Sequence, residues 1–481
     1  MNDFVVNIKK VMLVFLILFI VLISYISYFY MFNSEEIVKS TFNDRLWAER
    51  NKVLRGTIYD KDLVALTKST KINATSQKVK YLGGEAFTHA IGYIDPVYGL
   101  TGLEKKYDAE LMGSQTVVSK LFSFDKDEEE KVGNGLRTTL DSKLQKVAFD
   151  SLSNAKIKGG GKVKGSVVVL NPKTGEILAM VSMPSYDPNN LAKEWKGILA
   201  DKDVPLLNRA VSGMYPPGSI FKTITAISAL ENIPDVYNRK FEDNGKLVFN
   251  ESSSLENAGK HAYGDIGFTG AYVHSSNVVF GTLGLDLGNK ALKETAEKFY
   301  FNRDTPAQGL TIENSRFPSY KSDEKGNIAQ SAIGQSGVLA TPMEMALVAS
   351  TVANDGIMMQ PTLVSEILDS KGKSLKKIEP KLLEEVTSKE NAKIMKDLMR
   401  GVVTEGTGTS VAVTGIEIGG KTGTADHNDS TGKEMTAHSW FIGFAPYENP
   451  QIAIAVIVEE GGFGSGEAAK ITKKLIETYL K

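Results

Sequence analysis

An uncharged apolar run near the N-terminus limits this chain more than any other feature. Residues 11–32 lie between Lys10 and Glu35 and contain no charged side chain. At a rise of about 1.5 Å per residue, a helix of this length crosses a hydrocarbon core roughly 30 Å thick. The run ends in Tyr and Phe residues without a small-residue cleavage site, so it predicts an uncleaved transmembrane helix. A buried core helix is the alternative that such a run leaves open.

The charges on either side of this run predict its orientation. Lys9 and Lys10 precede it, whereas Glu35 and Glu36 follow it. Because positive charge is retained on the cytoplasmic side, we expect residues 1–10 to be cytoplasmic and everything after residue 32 to lie outside. The remaining sequence has no second apolar run of this length. We therefore expect a single-pass protein of the cell membrane.

The composition excludes several classes of function. The 56 Lys and Arg residues nearly balance the 57 Asp and Glu residues, which argues against a nucleic acid partner. Cysteine is absent, so thiol catalysis, disulfides and thiolate metal sites are excluded. The five histidines have no metal-ligand spacing. We expect neither a metal nor a cofactor.

The part after the predicted anchor divides into two domains. Residues 33–155 mix short apolar segments with charged loops, including the acidic run 125–131, and end in a helical pattern. Residues 156–164 contain three consecutive glycines, which predicts a flexible hinge. The second domain is expected to span residues 156–481.

The second domain is expected to be α+β. The patterns predict a hairpin over 166–181, helices over 219–230 and 342–354, strands over 439–446 and 451–459, and a closing helix over 467–480. With strands at both ends and helices between them, one sheet is expected to join the two ends of the domain.

A Ser-x-x-Lys motif marks a candidate nucleophile. The motif occurs seven times, but only Ser219 to Lys222 opens an apolar helical run. A serine in the first turn of a helix faces free backbone N–H groups, and a lysine three residues later lies on the same face. Partial desolvation favours a neutral lysine, so Lys222 is a candidate base for the Ser219 hydroxyl. The alternative is a helix cap followed by a surface lysine.

Two further motifs supply partners for such a site. Ser275-Ser276-Asn277 offers a hydroxyl to relay a proton and an amide to hold a substrate amide. Lys421-Thr422-Gly423 follows two glycines, and we expect Gly423 to let a substrate backbone approach an edge strand. Lys421 is expected to line an open cleft. A second Lys-Thr-Gly at 173–175 falls in the predicted hairpin turn and is interpreted as structural.

Residues 415–422 also fit the phosphate-loop pattern G-x-x-x-x-G-K-[ST]. A phosphate loop must open a helix after its Lys-Thr, but a strand end and a polar turn are predicted here. We therefore expect no nucleotide.

His274 lies beside the Ser-x-Asn motif and His438 lies in a predicted strand, and both are interpreted as structural.

The ordered motifs resemble the active-site set of penicillin-binding proteins and serine β-lactamases. Their flanks are similar to class B penicillin-binding transpeptidases in particular: YPPGSIFK at 215–222, AIGQSGVLATPMEM at 332–345, GGKTGTA at 419–425 and HSWFIGFAP at 438–446. RGTIYD at 55–60 and GLTGLEKKYDAELMG at 99–113 resemble the N-terminal pedestal of that class. The family usually continues Arg-Asn-Gly after the aspartate, whereas Lys61, Asp62 and Leu63 follow here.

The resemblance implies a penicillin-binding/serine β-lactamase-like transpeptidase domain with a pedestal and one transmembrane helix. It implies a peptidoglycan D,D-transpeptidase with Ser219 as nucleophile and Lys222 as base, in which Ser275 and Lys421 pass a proton to the leaving amine. Asn277 would hold the acyl amide, and the N–H groups of Ser219 and Thr424 would bind the oxyanion. The remaining substrate-binding residues implied are Thr422, Gly423 and Thr424.

The implied partners are peptidoglycan stem peptides, β-lactam antibiotics, the cytoplasmic membrane and a polytopic membrane glycan polymerase. Three alternatives stay open on the same fold: a D,D-carboxypeptidase, a β-lactamase and a non-catalytic scaffold for a cell-wall polymerase. The role in elongation, division or sporulation also stays open.

Overall fold

The computed structural model describes residues 2–32, 47, 50–73, 76–113, 131–157, 160–251, 253–428 and 432–481. Some sequence features used above lie outside the described residues: Glu35 and Glu36, most of the acidic run, and Gly159 of the predicted hinge. In the described part of the hinge, residues 160–164 form neither helix nor strand.

The N-terminal apolar run forms one helix, Asn2–Phe32. Its segment Lys9–Tyr28 has a mean hydropathy of 2.7 and is long enough to cross a membrane. No residue of this segment is buried, which is inconsistent with a core helix. Among the described helices it is the one that meets this criterion. Its orientation stays a prediction.

The N-terminal domain is built from short elements. Its strands are Ile58–Tyr59, Thr67–Asn73, Ser76–Tyr81, Ile94–Asp95, Gly99–Leu100 and Gly135–Thr138. Its helices are Thr88–Ile91, Gly102–Lys106, Asp108–Leu111 and Ser142–Ser153. Thr67–Asn73 and Ser76–Tyr81 pair as an antiparallel hairpin.

Two elements tie this region to the second domain. Strand Gly135–Thr138 pairs in parallel with Ile58–Tyr59 and antiparallel with Val364–Leu368, so one four-stranded sheet contains strands from both regions. Helix Ser142–Ser153 packs against strand Ile177–Met183 and helix Glu467–Leu480. The domain boundary between residues 155 and 156 stays a prediction.

The second domain is organised around a five-stranded antiparallel sheet. Its order is Gly419–Ala425, His438–Ala445, Ile452–Val458, Gly165–Leu170 and Ile177–Met183. The predicted hairpin and the two predicted C-terminal strands are confirmed, and the sheet joins both ends of the domain. Gly419–Ala425 forms one edge of this sheet.

Helices cover both faces of the sheet. All twelve residues of Pro342–Ala353 are buried, and this helix packs on three of the strands. Its sequence is apolar except at Glu344, Ser350 and Thr351, as is typical of a helix enclosed by protein. The helices Ser142–Ser153 and Glu467–Leu480 contact the opposite face. Since neither face meets solvent, the two central strands are buried along their whole length, and Ile452–Val458 is apolar throughout.

A helical region lies beside the edge strand and contains most of the motifs. Besides the two helices of the second domain already named, its α-helices are Leu191–Ala200, Arg209–Ser212, Lys222–Asn232, Phe268–Val273, Asn277–Lys298, Lys325–Ser331 and Lys389–Thr404. The remaining strands are Lys240–Asp243, Lys246–Asn250, Ser253–Glu256, Gly264–Gly267, Ile357–Met359, Val364–Leu368, Ser374–Lys377 and Leu382–Glu385. Helix Lys222–Asn232 packs against Asn277–Lys298 and Lys389–Thr404. The predicted α+β class is confirmed.

Candidate active site

Ser219 lies in a tight turn between a loop and a helix. Gly218–Phe221 forms a 3-10 turn, and the α-helix Lys222–Asn232 begins directly after it. Ser219 is partly exposed, and its Oγ makes no hydrogen bond with a described residue. The predicted placement at the start of an apolar helix is therefore confirmed, with the serine one turn earlier than the first α-helical residue.

Two glycines bring this turn against the edge strand. Gly218 has φ +56°, and a Cβ there would lie 2.6 Å from the carbonyl oxygen of Thr424. A Cβ on Gly423 would lie 3.0 Å from Ile220 Cγ2 and 3.1 Å from Pro217 O. The missing side chain at Gly423 thus makes room for the Ser219 turn, a different reason from the predicted approach of a substrate. A role of Gly423 in substrate binding stays a prediction.

Lys222 is fully buried, and its ammonium is directed to the second motif. Nζ donates to Ser275 O at 2.7 Å, to Ser275 Oγ at 3.2 Å and to Asn277 Oδ1 at 2.7 Å. We expected Lys222 to be partly desolvated, and the structure shows that it is completely buried. These bonds place the amine beside the Ser275 hydroxyl. Lys222 itself follows Ser219 by one turn of the chain.

Lys421 reaches the same hydroxyl from the edge strand. Its Nζ donates to Ser275 Oγ at 2.9 Å and to Thr422 O at 3.2 Å. The side chain is 0% exposed, so the expectation that Lys421 lines an open cleft is wrong. It lies instead between the strand and the ring of Tyr272, whose centroid is 5.7 Å from Nζ.

Burial lowers the proton affinity of both amines. Burial lowers the pKa of Lys222 well below its ordinary value, and the charge of Lys421 lowers it further, while Asp243 opposes the shift. Burial lowers the pKa of Lys421 to about 7. Both lysines hydrogen-bond to neutral oxygen atoms, and among the described residues no carboxylate contacts either ammonium. The site is therefore able to hold a neutral amine near neutral pH.

The Ser-x-Asn motif joins two helices. Ser275 follows helix Phe268–Val273 and adopts a left-handed conformation with φ +61°. Ser276 caps the next helix, Asn277–Lys298, through a bond from Val279 N to its Oγ. The Asn277 amide also donates to Glu256 O at 2.8 Å. Its side chain thus bridges Lys222 and a neighbouring strand.

The threonines after Lys421 lie along the edge strand. Thr422 Oγ1 is 2.6 Å from Thr407 Oγ1, and Gly464 N donates to Thr424 Oγ1 at 3.3 Å. Thr424 is half-buried, whereas Thr422 is nearly buried. The backbone of Thr424 lies against Gly218 of the Ser219 turn.

The competing interpretations of the motifs are resolved by the local structure. Lys421 and Thr422 continue into a strand that pairs as far as Ala425 with His438, so no helix follows them and the phosphate-loop alternative is excluded. The second Lys-Thr-Gly lies in the turn of the Gly165–Met183 hairpin, as expected. His438 accepts a bond from Glu460 N, and burial lowers the pKa of His438 to about 3, which agrees with a structural histidine.

Three polar residues at the site were not identified from the sequence. Asp243 and Asn257 are buried behind the Ser-x-Asn motif, and Thr407 contacts Thr422. Asp243 precedes Ser276 by 33 residues, Asn257 precedes Asn277 by 20, and Thr407 precedes Thr422 by 15. No local pattern marks such contacts, because they arise only when separate elements pack together.

Comparison with protein families gives two matches. A family described as the penicillin-binding protein transpeptidase domain matches residues 165–477. A second, described as the penicillin-binding protein A dimerisation domain, matches residues 55–134. The N-terminal region that resembles a pedestal therefore corresponds to a domain named for dimerisation.

Similar proteins extend over most of the chain. The peptidoglycan D,D-transpeptidase PbpA of Mycolicibacterium smegmatis is 34% identical over 421 residues, which cover 83% of this chain and 84% of that protein. The peptidoglycan D,D-transpeptidase MrdA of Haemophilus influenzae is 29% identical over 458 residues, which cover 88% of this chain and 67% of that protein. The penicillin G acyl-enzyme complex of penicillin-binding protein A from M. tuberculosis superposes with a TM-score of 0.81 at 30% identity, covering 89% of this chain and 100% of that chain.

Proposed function

Because the chain belongs to the penicillin-binding protein transpeptidases, we propose that it is a peptidoglycan D,D-transpeptidase that forms an acyl-enzyme on Ser219. One observation carries this proposal: two fully buried lysines, Lys222 and Lys421, converge on the Ser275 hydroxyl beside the Ser219 turn. Burying two amines without a contacting carboxylate lowers the stability of the fold. Such an arrangement is typical of a site that transfers protons, because burial lowers the pKa of the amines.

In the first step, Ser219 Oγ attacks the carbonyl carbon of the penultimate D-alanine of a stem peptide. The hydroxyl proton passes to neutral Lys222, which lies one turn along the helix. Lys222 and Lys421 both bond to Ser275 Oγ, so this hydroxyl relays a proton to the amine of the terminal D-alanine. The peptide C–N bond breaks, D-alanine leaves and an ester forms on Ser219.

In the second step, an amine of another stem peptide attacks the ester carbonyl. The amine gives up a proton to the same relay, the C–O bond to Ser219 breaks and the cross-link forms. Ser219 recovers its hydroxyl proton from Lys222. The lysines therefore end the cycle in their starting protonation states, as a catalyst requires.

Backbone groups of the turn and the edge strand would stabilise the oxyanion. The N–H groups of Ser219 and Thr424 are the proposed donors, supported by the close contact of Gly218 with Thr424. The hydroxyls of Thr422 and Thr424 would bind the terminal carboxylate of the substrate. Asn277 would hold the amide of the acyl chain.

The same chemistry explains inhibition by β-lactams. Ser219 would attack the lactam carbonyl, and the opened ring would stay attached because its amine cannot diffuse away. Solved acyl-enzyme complexes of penicillin-binding protein A from M. tuberculosis with penicillin G and with imipenem support this proposal. The D,D-carboxypeptidase alternative differs from it only in using water as the acceptor, whereas a β-lactamase would also need a base that hydrolyses the β-lactam ester.

The membrane arrangement follows from the N-terminal helix. We infer that residues 1–10 are cytoplasmic and that the catalytic domain is extracytoplasmic, because Lys9 and Lys10 precede the span. A polytopic membrane glycan polymerase is the proposed partner, since cross-linking consumes newly made glycan strands. Protease added to intact protoplasts should digest the chain up to the anchor, and full protection would contradict this orientation.

The experiment for the proposed activity uses the full chain in membranes, a stem pentapeptide donor ending in D-Ala-D-Ala and an excess of an amine acceptor. Mass analysis should find the acceptor joined to the donor with one D-alanine released for each product. Ser219→Ala should give no product. Release of D-alanine without joined product would instead support the carboxypeptidase alternative, and a wild type without any turnover or penicillin adduct would support the scaffold.

A further inference from the structure

A buried carboxylate lies directly behind the Ser-x-Asn motif. Asp243 is the last residue of strand Lys240–Asp243 and is 0% exposed. From the part of the chain that the structure describes, its oxygen atoms accept bonds only from neutral groups: Gly245 N at 2.9 Å, Asn257 Nδ2 at 2.8 and 2.9 Å, and Ser276 Oγ at 2.6 Å. A buried carboxylate is costly to keep, so its position calls for a functional reason.

Asn257 transmits the position of this carboxylate to the motif. Its Nδ2 is held by Asp243 and by His261 O. Its Oδ1 accepts from Asn277 N at 2.7 Å and from Val278 N at 3.1 Å. Together with the Ser276 cap, the cluster satisfies the first three N–H groups of helix Asn277–Lys298.

This arrangement holds Ser275 in an unfavourable backbone conformation. A left-handed serine is strained and persists only where its surroundings fix it. Ser275 N bonds to Tyr272 O, and Ser276 N bonds to Ala271 O. The residue is thus fixed by a helix end on one side and by the Asp243 cluster on the other. The left-handed turn places Ser275 Oγ within reach of both lysines.

We propose that Asp243 and Asn257 are positioning residues for the transfer reaction, which hold Ser275 and Asn277 against the two lysines. The Asp243 carboxylate also provides the countercharge for the proton that the two lysines share. The proposal rests on the proposed function, because it assumes that this proton is transferred from Ser219. Neither residue touches the reacting atoms.

The charges around Lys222 agree with this role. Burial lowers the pKa of Lys222 first, Lys421 adds to the shift from the edge strand, and Asp243 opposes it. The other facing groups carry no charge: the Tyr272 hydroxyl bonds to Thr223, and the Phe280 ring lies 5.7 Å from Lys222 Nζ. Glu256 contributes only its backbone oxygen, since its carboxylate pairs with Lys246 and Lys260 at the surface.

The test is the pH dependence of acylation by penicillin in the full chain, measured for each mole of protein that binds penicillin. Asp243→Asn keeps the shape and one acceptor oxygen but removes the charge. We expect the maximal rate to fall by about tenfold and the midpoint of the acidic limb to move to lower pH, since Lys222 then loses its proton more easily. The matched control is Asp265→Asn, an exposed carboxylate on the paired strand Gly264–Gly267, which should change neither.

A second variant separates position from charge. Asn257→Ala leaves Asp243 in place but removes the bonds to Asn277 and Val278, so it should lower the maximal rate with little shift of the midpoint. If either variant does not fold, Ser276→Ala replaces it, because this change removes one bond to Asp243 and should also lower the maximal rate. Variants that are less stable but keep the wild-type rate and midpoint would overturn the proposal. A wild type that penicillin does not acylate would refute the proposed function itself.

Discussion

Two buried clusters of basic side chains, one in each domain, are built in opposite ways. In the N-terminal domain, Arg55 is buried and its guanidinium bonds to Glu104 at 2.5 Å and to Asp108 at 2.8 Å. In the catalytic domain, Lys222 and Lys421 are equally buried but contact only neutral oxygen atoms. The first cluster has carboxylates in direct contact with its charge, whereas among the described residues the second has none in contact and only Asp243 nearby.

The protonation of the two clusters follows this difference. Burial alone would lower the pKa of Arg55, but Glu104 and Asp108 raise it above its ordinary value. Burial lowers the pKa of both lysines, and Lys421 reaches about 7. A guanidinium that never loses its proton stabilises structure, while an amine that loses it near neutral pH is suited to catalysis. The comparison predicts that changes in one cluster alter stability and changes in the other alter rate.

The largest effect is expected for Lys222→Arg, which gives the catalytic cluster a permanent charge. Arginine keeps its proton at all accessible pH values, so it cannot accept one from Ser219. Acylation by penicillin should slow by about 10³-fold, measured by stopped-flow or quenched labelling. Lys193→Arg, an exposed lysine on helix Leu191–Ala200, is the matched control and should be unchanged. A wild-type rate in Lys222→Arg would remove the distinction between the clusters.

Arg55→Met tests the opposite cluster. It leaves Glu104 and Asp108 without their buried cation, which should lower the free energy of unfolding by about 3 to 5 kcal/mol. Acylation per folded molecule should stay at the wild-type rate, since Arg55 belongs to the other domain. Denaturant unfolding and penicillin titration measure the two quantities. An equal loss of rate and stability would show that the clusters are coupled.

Lys421→Met tests whether burial of the Lys421 amine without a contacting carboxylate lowers its pKa and the stability of the fold. The pKa of Lys421 is about 7 in the folded protein but near 10.5 when unfolded, so wild-type stability should rise as pH increases between these values. Methionine has no such dependence. The variant should be the more stable form at pH 7, with an advantage that shrinks by up to about 1.4 kcal/mol per pH unit toward pH 10. A constant difference in unfolding free energy across this range would contradict the lowered pKa.

The smallest effect concerns a sequence departure in the N-terminal domain. Leu63 has φ +64° and is half exposed, at the position where the family usually has glycine. Leu63→Gly should relieve the backbone strain and raise stability by at most about 1 kcal/mol, because glycine also gains freedom in the unfolded chain. Thermal unfolding measures the change. A clear loss of stability would mean that the Leu63 side chain contributes contacts that outweigh the strain.

Local sequence patterns predicted the parts of the fold whose order depends on near neighbours. Helix Pro342–Ala353 is a mostly apolar run, and Glu467–Leu480 has a regular apolar face, so the local distribution of apolar residues predicts both. No local pattern predicts the pairing of Gly135–Thr138 with Val364–Leu368, because the two strands are more than 200 residues apart along the chain.

The site divides in the same way. Ser219, Lys222, Ser275, Asn277 and Lys421 were identified by motif order, and the structure brings the last four into one hydrogen-bonded group next to the Ser219 turn. The complete burial of Lys421 was not predicted, since it depends on the packing of Tyr272 against the edge strand. Asp243 and Asn257 were missed because neither carries a local signature.

The most direct test of the account is the position and pH dependence of the penicillin adduct. Peptide mapping of labelled protein should place the adduct on Ser219, and Ser219→Ala should carry none. The rate of labelling should increase with pH as the buried lysines lose their protons, and Lys222→Arg should abolish this increase. An adduct on another serine, or labelling of Ser219→Ala at the wild-type rate, would contradict the central claim that two buried lysines without a contacting carboxylate activate Ser219.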